Sequence, residues 1–177
     1  MIDMQNDFIS GTFKNKDAQE IVPKVAKFIK DFDGYIYYTM DEHLEESKGT
    51  WAESIETNTL PKHCIQGTEG YELPLDIKKT LWDKIITPEK IRKFTFGSSE
   101  LINKIKFNLN KIEELYIIGL CTDICVITNT LMLRTYFPNL KITVISDLCA
   151  GTTPENHTKA LDIMKMNLIN TKISKEI

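Results

Sequence analysis

Short apolar runs alternate along the chain with amphipathic stretches, and the change of period separates the two. Tyr35 to Met40 (YIYYTM) is dense in aromatic and β-branched residues and reads as a buried strand. Leu115 to Leu120 (LYIIGL) and Lys141 to Ser146 (KITVIS) read the same way. Between them, Ala18 to Lys30 places Ile21, Val25, Phe28 and Ile29 on one helical stripe. Ser99 to Leu109 and Asp123 to Tyr136 are further helix candidates, and Pro154 to Met164 follows a Thr-Thr-Pro-Glu start that combines a cap with proline in the first turn. Asn167 to Ile173 reads as a last strand.

Strand and helix in this alternation imply a parallel sheet covered on both faces, with ligands at the carboxyl ends of the strands. The 177 residues fit one domain spanning 1–177, with no internal repeat and no linker. Asp41 to Pro74 breaks the pattern: it is long, polar and rich in Glu, Thr and Gly. A loop of that length inside a compact domain is usually functional or disordered. Only Met1 and Ile2 precede Asp3, too few for a full central strand.

Composition narrows the class. Hydrophobic residues make up 42% and charged residues 27%, the balance of an ordinary globular protein, and a net charge of −3 makes no electrostatic case for nucleic acid. Lysines are interleaved with acids, as in KNKDAQEIVPK, so they read as solvated helix faces. No apolar run approaches the roughly 20 residues that span a bilayer, so no membrane partner is expected. The opening MIDMQNDF lacks the basic-then-apolar pattern of a signal peptide. The four cysteines (Cys64, Cys121, Cys125, Cys149) do not suit a disulfide framework, and the cytoplasm is the default compartment.

Two constellations carry candidate chemistry. Asp3 follows the first apolar stub, Lys93 precedes a Gly-Ser-Ser turn, and Cys125 starts the helix after Gly119-Leu120, where a helix dipole favours the thiolate. A carboxylate, an ammonium and a thiol at neighbouring strand ends suit base, electrostatic support and nucleophile. Taken singly, Asp3 also reads as a turn residue, Lys93 as a surface charge and Cys125 as a small buried apolar group. In the polar loop, Asp41, His43 and His63, with Glu53 and Glu56 between, suit a divalent ion such as zinc, iron or manganese, although loop histidines are also common without one.

Four segments taken together resemble one family. MIDMQNDF, RKFTFGSS, GLCTDICV, and Asp41-x-His43 with LPKHCIQGTEGYEL resemble, in order and from Asp3 to about Asn170, the signatures of the isochorismatase-like cysteine hydrolases, and of their nicotinamidase-related members in particular. The resemblance implies a Rossmann-like, three-layer α/β/α fold around a central parallel sheet. It implies Asp3, Lys93 and Cys125 as a catalytic triad, an oxyanion hole formed by the N–H groups of Cys121 and Cys125, and a cis Leu120–Cys121 peptide. Asp41, His43 and His63 match metal ligands; the family's usual second loop histidine is absent, and Glu56, with Glu53 as the alternative, takes its place. Phe8, Leu60 and Phe96 match ring-pocket positions, with core packing an equal alternative; Leu60 stands where a larger aromatic is frequent, which makes the pocket roomier. Asp123 and Asp147 are expected to support the site, and Cys64 and Cys149 to be inert.

The activity so implied is a metal-assisted amidohydrolase that converts nicotinamide to nicotinate and ammonia through a thioester. The enzymatic alternative is a relative acting on another small amide or an isochorismate-like substrate. From a different class comes a non-catalytic binding module with the same fold. A small-molecule amide substrate and a homo-oligomer are the expected partners.

Overall fold

The strand register determines which distant residues meet. The computed structural model describes residues 1–45, 55 and 59–177; Glu53 and Glu56 lie outside them. Among the described residues the strands are β1 (Tyr37–Asp41), β2 (Glu89–Lys93), β3 (Glu114–Leu120), β4 (Lys141–Ala150) and β5 (Asn170–Lys172). β1 pairs with β2, β3 with β4 and β4 with β5, all parallel. The gap between β1 and β3 is bridged by the first three residues. Ile2 N–H donates to the Ile118 carbonyl (2.8 Å) and Leu120 N–H to the Ile2 carbonyl (2.9 Å), while Thr39 N–H reaches the Met1 carbonyl (3.0 Å). The stub is thus the central row of one sheet ordered β2-β1-stub-β3-β4-β5. Gly119 permits this approach: its φ is +126°, and a Cβ there would lie 2.0 Å from the Ile2 carbonyl oxygen.

Helices cover both faces. α1 (Asn6–Ile9) is a single turn; α2 (Lys16–Asp31) and α3 (Leu75–Trp82) pack on one face, and α4 (Ser99–Asn108), α5 (Ile127–Tyr136) and α6 (Pro154–Met166) on the other. The stripe Ala18, Ile21, Val25 and Ile29 of α2 meets Met40, Ile118, Leu120 and Ile145. Across the sheet, Ile105, Leu133 and Met164 meet Ile91, Ile117, Ile142 and Val144. The alternation Ile117/Ile118 and Val144/Ile145 therefore feeds two cores, as a sheet buried on both faces requires. Each large side chain so buried contributes about 1.5–3 kcal/mol. Helix starts are set by side-chain caps: Asn15 accepts from Ala18 N–H, Ser98 from Leu101 N–H and Thr153 from Asn156 N–H, each at 3.1 Å.

The three-layer α/β/α architecture is the one the pattern implies. Three elements escaped the pattern. α1 is only four residues long, and α3 begins directly after the stretch read as loop, where no helix was expected. β2 (EKIRK) buries only Ile91 and Lys93 because it is an edge strand, and its charged residues blunt that edge. The helix expected from Asp123 to Tyr136 is also interrupted: Thr122–Val126 forms a wide π-type turn before α5 begins. Among the described residues no helix is long and apolar enough to cross a membrane.

Candidate active site

Asp3, Lys93 and Cys125 converge at the carboxyl ends of neighbouring strands. Pairing of Asp41 with Lys93 in the β1–β2 register sets the Lys93 side chain beside the stub that ends in Asp3. Lys93 Nζ lies 2.8 Å from Asp3 Oδ2, 3.1 Å from Asp41 Oδ1 and 3.6 Å from Cys125 Sγ, and donates to the Thr95 carbonyl at 3.0 Å. Asp3 is fully buried, Lys93 is 2% exposed and Cys125 5%. The second Asp3 oxygen accepts the Thr39 hydroxyl at 2.6 Å. Asp3 itself sits in the left-handed region (φ +45°), a conformation that non-glycine residues adopt sparingly and that concentrates at functional sites.

Burial and charge set the protonation. Burial pushes the Asp3 carboxyl up, against the lowering pull of the Lys93 ammonium, and the neighbouring Asp41 charge pushes it further up. Burial first, then the Asp3 and Asp41 charges, push the Cys125 thiol well above its ordinary value; Lys93 only moderates this. Burial and the two carboxylates thus oppose the thiolate that the helix dipole favours. Lys93 loses from burial but gains more from Asp3, Cys125 and Asp41, which hold its ammonium well above its ordinary value.

Asp41, His43 and His63 form the second cluster, all buried, with candidate ligand atoms within 4.8 Å of one another. Nε2 of His43 lies 3.1 Å and Nε2 of His63 3.2 Å from Asp41 Oδ2. His63 Nδ1 lies 2.7 Å from the Pro61 carbonyl, which can accept only an N–H, so Nδ1 carries a proton and Nε2 is the nitrogen that faces the Asp41 carboxylate. Two imidazoles with one carboxylate, their nitrogens and oxygens turned toward one another, suit a transition ion. Burial raises the Asp41 pKa, but Lys93 and the two imidazoles outweigh it and hold the carboxyl well below the usual range. The loop ends are zipped together: His43 N–H donates to the Cys64 carbonyl and Gln66 N–H to the His43 carbonyl. Asp7 fixes the same loop by accepting Cys64 N–H at 2.7 Å and the Thr12 N–H and hydroxyl at 3.0 Å each.

A cavity of about 240 Å³ joins the two clusters. Cys125, Cys121, Asp41 and His63 border it together with Phe8, Leu60 and Phe96, the three positions expected from sequence. Phe13, Ile124, Asn15 and Thr152 complete the lining and were not anticipated. Phe13 had a weak signal, an aromatic one turn past Asp7; its ring stacks on Phe8 at 5.7 Å and meets His63 edge-on at 4.9 Å. Gln5 was also missed. Fully buried, it accepts Asp41 N–H at 2.7 Å and donates to the carbonyls of Asp41 (2.8 Å) and Tyr71 (3.0 Å).

The Leu120–Cys121 peptide is cis. The Cys121 carbonyl collects the N–H groups of both Ile124 and Val126 at 3.1 Å, which folds the turn over Cys125. Asp123 supports this turn from outside through Thr152, whereas Asp147 instead holds Ser174 N–H (2.7 Å) and hydroxyl (2.6 Å) at the end of the chain. No disulfide is formed, and burial pushes the Cys121 and Cys149 thiols up to about 12. The expected fourth ligand, Glu56 or Glu53, falls outside the described residues.

Comparison with known proteins gives a consistent result. The isochorismatase domain model matches residues 1–174. The uncharacterised isochorismatase family protein PncA of Bacillus subtilis is 29% identical over 171 residues, covering 90% of this chain and 89% of that protein. The nicotinamidase of Schizosaccharomyces pombe is 23% identical over 191 residues, covering 91% and 86%. The crystal structure of the Pyrococcus horikoshii pyrazinamidase in complex with zinc superposes with a TM-score of 0.80 at 25% identity, covering 98% of this chain and 96% of that one.

Proposed function

The chain belongs to the isochorismatase family, and from that premise we propose that it is a metal-assisted cysteine amidohydrolase acting on nicotinamide or a similar small carboxamide. One observation carries the reading: Cys125, beside the Lys93 ammonium that also pairs with Asp3, borders a cavity that Asp41 and His63 border too. Relatives named nicotinamidase and pyrazinamidase support it. A small planar ring fits between Phe8, Phe13, Leu60 and Phe96, and the reacting carbonyl then faces the sulfur.

Asp3 takes the Cys125 proton as the sulfur bonds to the amide carbon. The negative charge that develops on oxygen is held by the N–H groups of Cys121 and Cys125. As the intermediate collapses, the C–N bond breaks and Asp3 returns the proton to the departing ammonia. Water then attacks the thioester while Asp3 accepts its proton, and the acid leaves as the thiol re-forms. Lys93 stays charged throughout and offsets the negative charge on Asp3. Asp41, His43 and His63 would hold a divalent ion, which when bound supplies a Lewis acid that fixes a ring nitrogen of the substrate.

The test is ammonia release from nicotinamide by metal-supplemented protein, with Cys125→Ala alongside. Release that is abolished in the variant supports substrate and nucleophile together. No release from wild-type protein at high concentration overturns the nicotinamide assignment.

A further inference from the structure

His157 is used by none of the steps above, yet it touches the machinery from behind. The turn Cys121–Cys125 must hold two N–H groups in a fixed relation, and two side-chain anchors tie it to the segment that opens α6. Asp123 Oδ1 accepts Thr152 N–H at 2.8 Å. One residue earlier, Thr122 Oγ1 lies 2.8 Å from His157 Nδ1. Thr122 is fully buried, so its hydroxyl depends on that partner, and it adjoins Cys121 directly.

His157 is itself firmly seated. It lies in the first turn of α6, its N–H donating to the Thr153 carbonyl at 2.9 Å. Its backbone packs on Gly151, where an added Cβ would come within 2.7 Å of His157 N. The Gly151 carbonyl is fixed in turn by Asn15 Nδ2 at 2.7 Å. Burial pushes the imidazole below its ordinary value, with the Asp123 and Asp17 charges opposing, so at neutral pH the ring is uncharged and Nδ1 can accept the Thr122 hydroxyl.

We propose that His157 is a positioning residue: by pinning the Thr122 hydroxyl it holds the Cys121–Cys125 turn in the shape that stabilises the tetrahedral intermediate. This rests on the amidohydrolase reading above. A side chain that is 35 residues away in sequence and does not line the cavity then contributes to the reaction without touching substrate.

Four variants test it: His157→Leu and Thr122→Val remove the bond, their combination removes it once only, and His157→Asn retains an amide that can replace Nδ1. Removing an oxyanion donor outright costs about 100- to 1000-fold in rate, and a displaced one less, so kcat should fall about 10- to 100-fold in His157→Leu and in Thr122→Val. KM should stay within about two-fold, because the ground state makes little use of the donors. The double variant should be no slower than the slower single variant, and His157→Asn should recover most of the rate. A second readout uses pyridine-3-carbaldehyde, whose adduct with the Cys125 thiol carries the same oxyanion. Its affinity should fall in His157→Leu while that of nicotinate does not. Folded His157→Leu with unchanged kcat and unchanged aldehyde affinity overturns the proposal, as does a double variant in which the two losses multiply. Wild-type protein that neither releases ammonia nor captures the aldehyde overturns the amidohydrolase reading and this one with it; the other failures sink the His157 role alone.

Discussion

Replacing Lys93 by methionine keeps the length of the side chain and removes its charge. Wild-type Lys93 is 2% exposed and pairs with two carboxylates, Asp3 at 2.8 Å and Asp41 at 3.1 Å, both essentially buried. Water cannot take over the lost pairing. Asp41 keeps His43 and His63, so the orphaned charge is chiefly that of Asp3. Removing one partner of a buried pair costs about 3–5 kcal/mol. For a chain of this size each kcal/mol shifts the unfolding midpoint by about 2–4 °C, so Lys93→Met should unfold about 6–20 °C below wild type at pH 7. The decisive arm is the double variant Asp3→Asn/Lys93→Met, which removes the orphaned charge and should recover much of that loss although it carries two substitutions. Circular dichroism melts of wild type, both singles and the double, under one chelator condition, read the cycle. Additive losses, or a Lys93→Met midpoint within about 2 °C of wild type, would refute the view that one ammonium neutralises this site.

Chelation should lower the unfolding midpoint of the wild-type protein and leave His63→Ala unmoved, because an ion held by Asp41, His43 and His63 stabilises by about 2.7 kcal/mol at a hundredfold excess over its Kd; equal midpoints in wild type with and without chelator would count against the cluster as a metal site. Away from the site, Glu114 is resisted by burial but held below its ordinary 4.5 by Lys141 (2.8 Å), Thr143 (2.6 Å) and Tyr116 (3.0 Å). A carboxyl lowered by folding stabilises above its unfolded value and loses that contribution as pH falls through its folded value. Glu114→Gln should therefore cost up to about 1 kcal/mol at pH 7 in urea melts, with the difference shrinking below pH 4.5; a difference that is constant with pH would falsify the assignment.

The parts of this molecule that were legible in the sequence are those written by a strong local period. LYIIGL and KITVIS show their strands, and the α2 stripe shows its helix, because burial there repeats at a fixed interval. β2 was not legible, since an edge strand of alternating charges has no apolar signature. α3 was hidden by the polar loop before it. The meeting of Asp3, Lys93 and Cys125 was suggested by strand-end placement, but the pressure of burial on the thiol was not, because dipole arguments ignore the depth at which Cys125 is buried and the nearby carboxylates. His157 and Gln5 left no trace at all: His157 acts through one side-chain hydrogen bond and Gln5 through three, all to residues more than 30 positions away, and only the fold creates those neighbours.

The two clusters of the site form a single electrostatic unit, and the unit depends on backbone features as much as on its charged groups. Lys93 is shared: one ammonium faces both Asp3, on the side of Cys125, and Asp41, on the side of the histidines. That sharing needs Lys93 opposite Asp41 in the β1–β2 register, and it needs Asp3 delivered between β1 and β3 by the backbone bonds of Met1 to Asp3. Gly119 admits the stub by having no side chain, Thr39 orients the carboxylate it carries, and Gln5 ties the next residues back to Asp41. A change at any of these would move Asp3 relative to Lys93 without altering a charged residue. Substituting Gly119 or Gln5 should therefore displace Asp3, and the measurement that separates this from simple unfolding is the alkylation rate of Cys125 in the folded variant, which should change when Asp3 and Lys93 leave the sulfur.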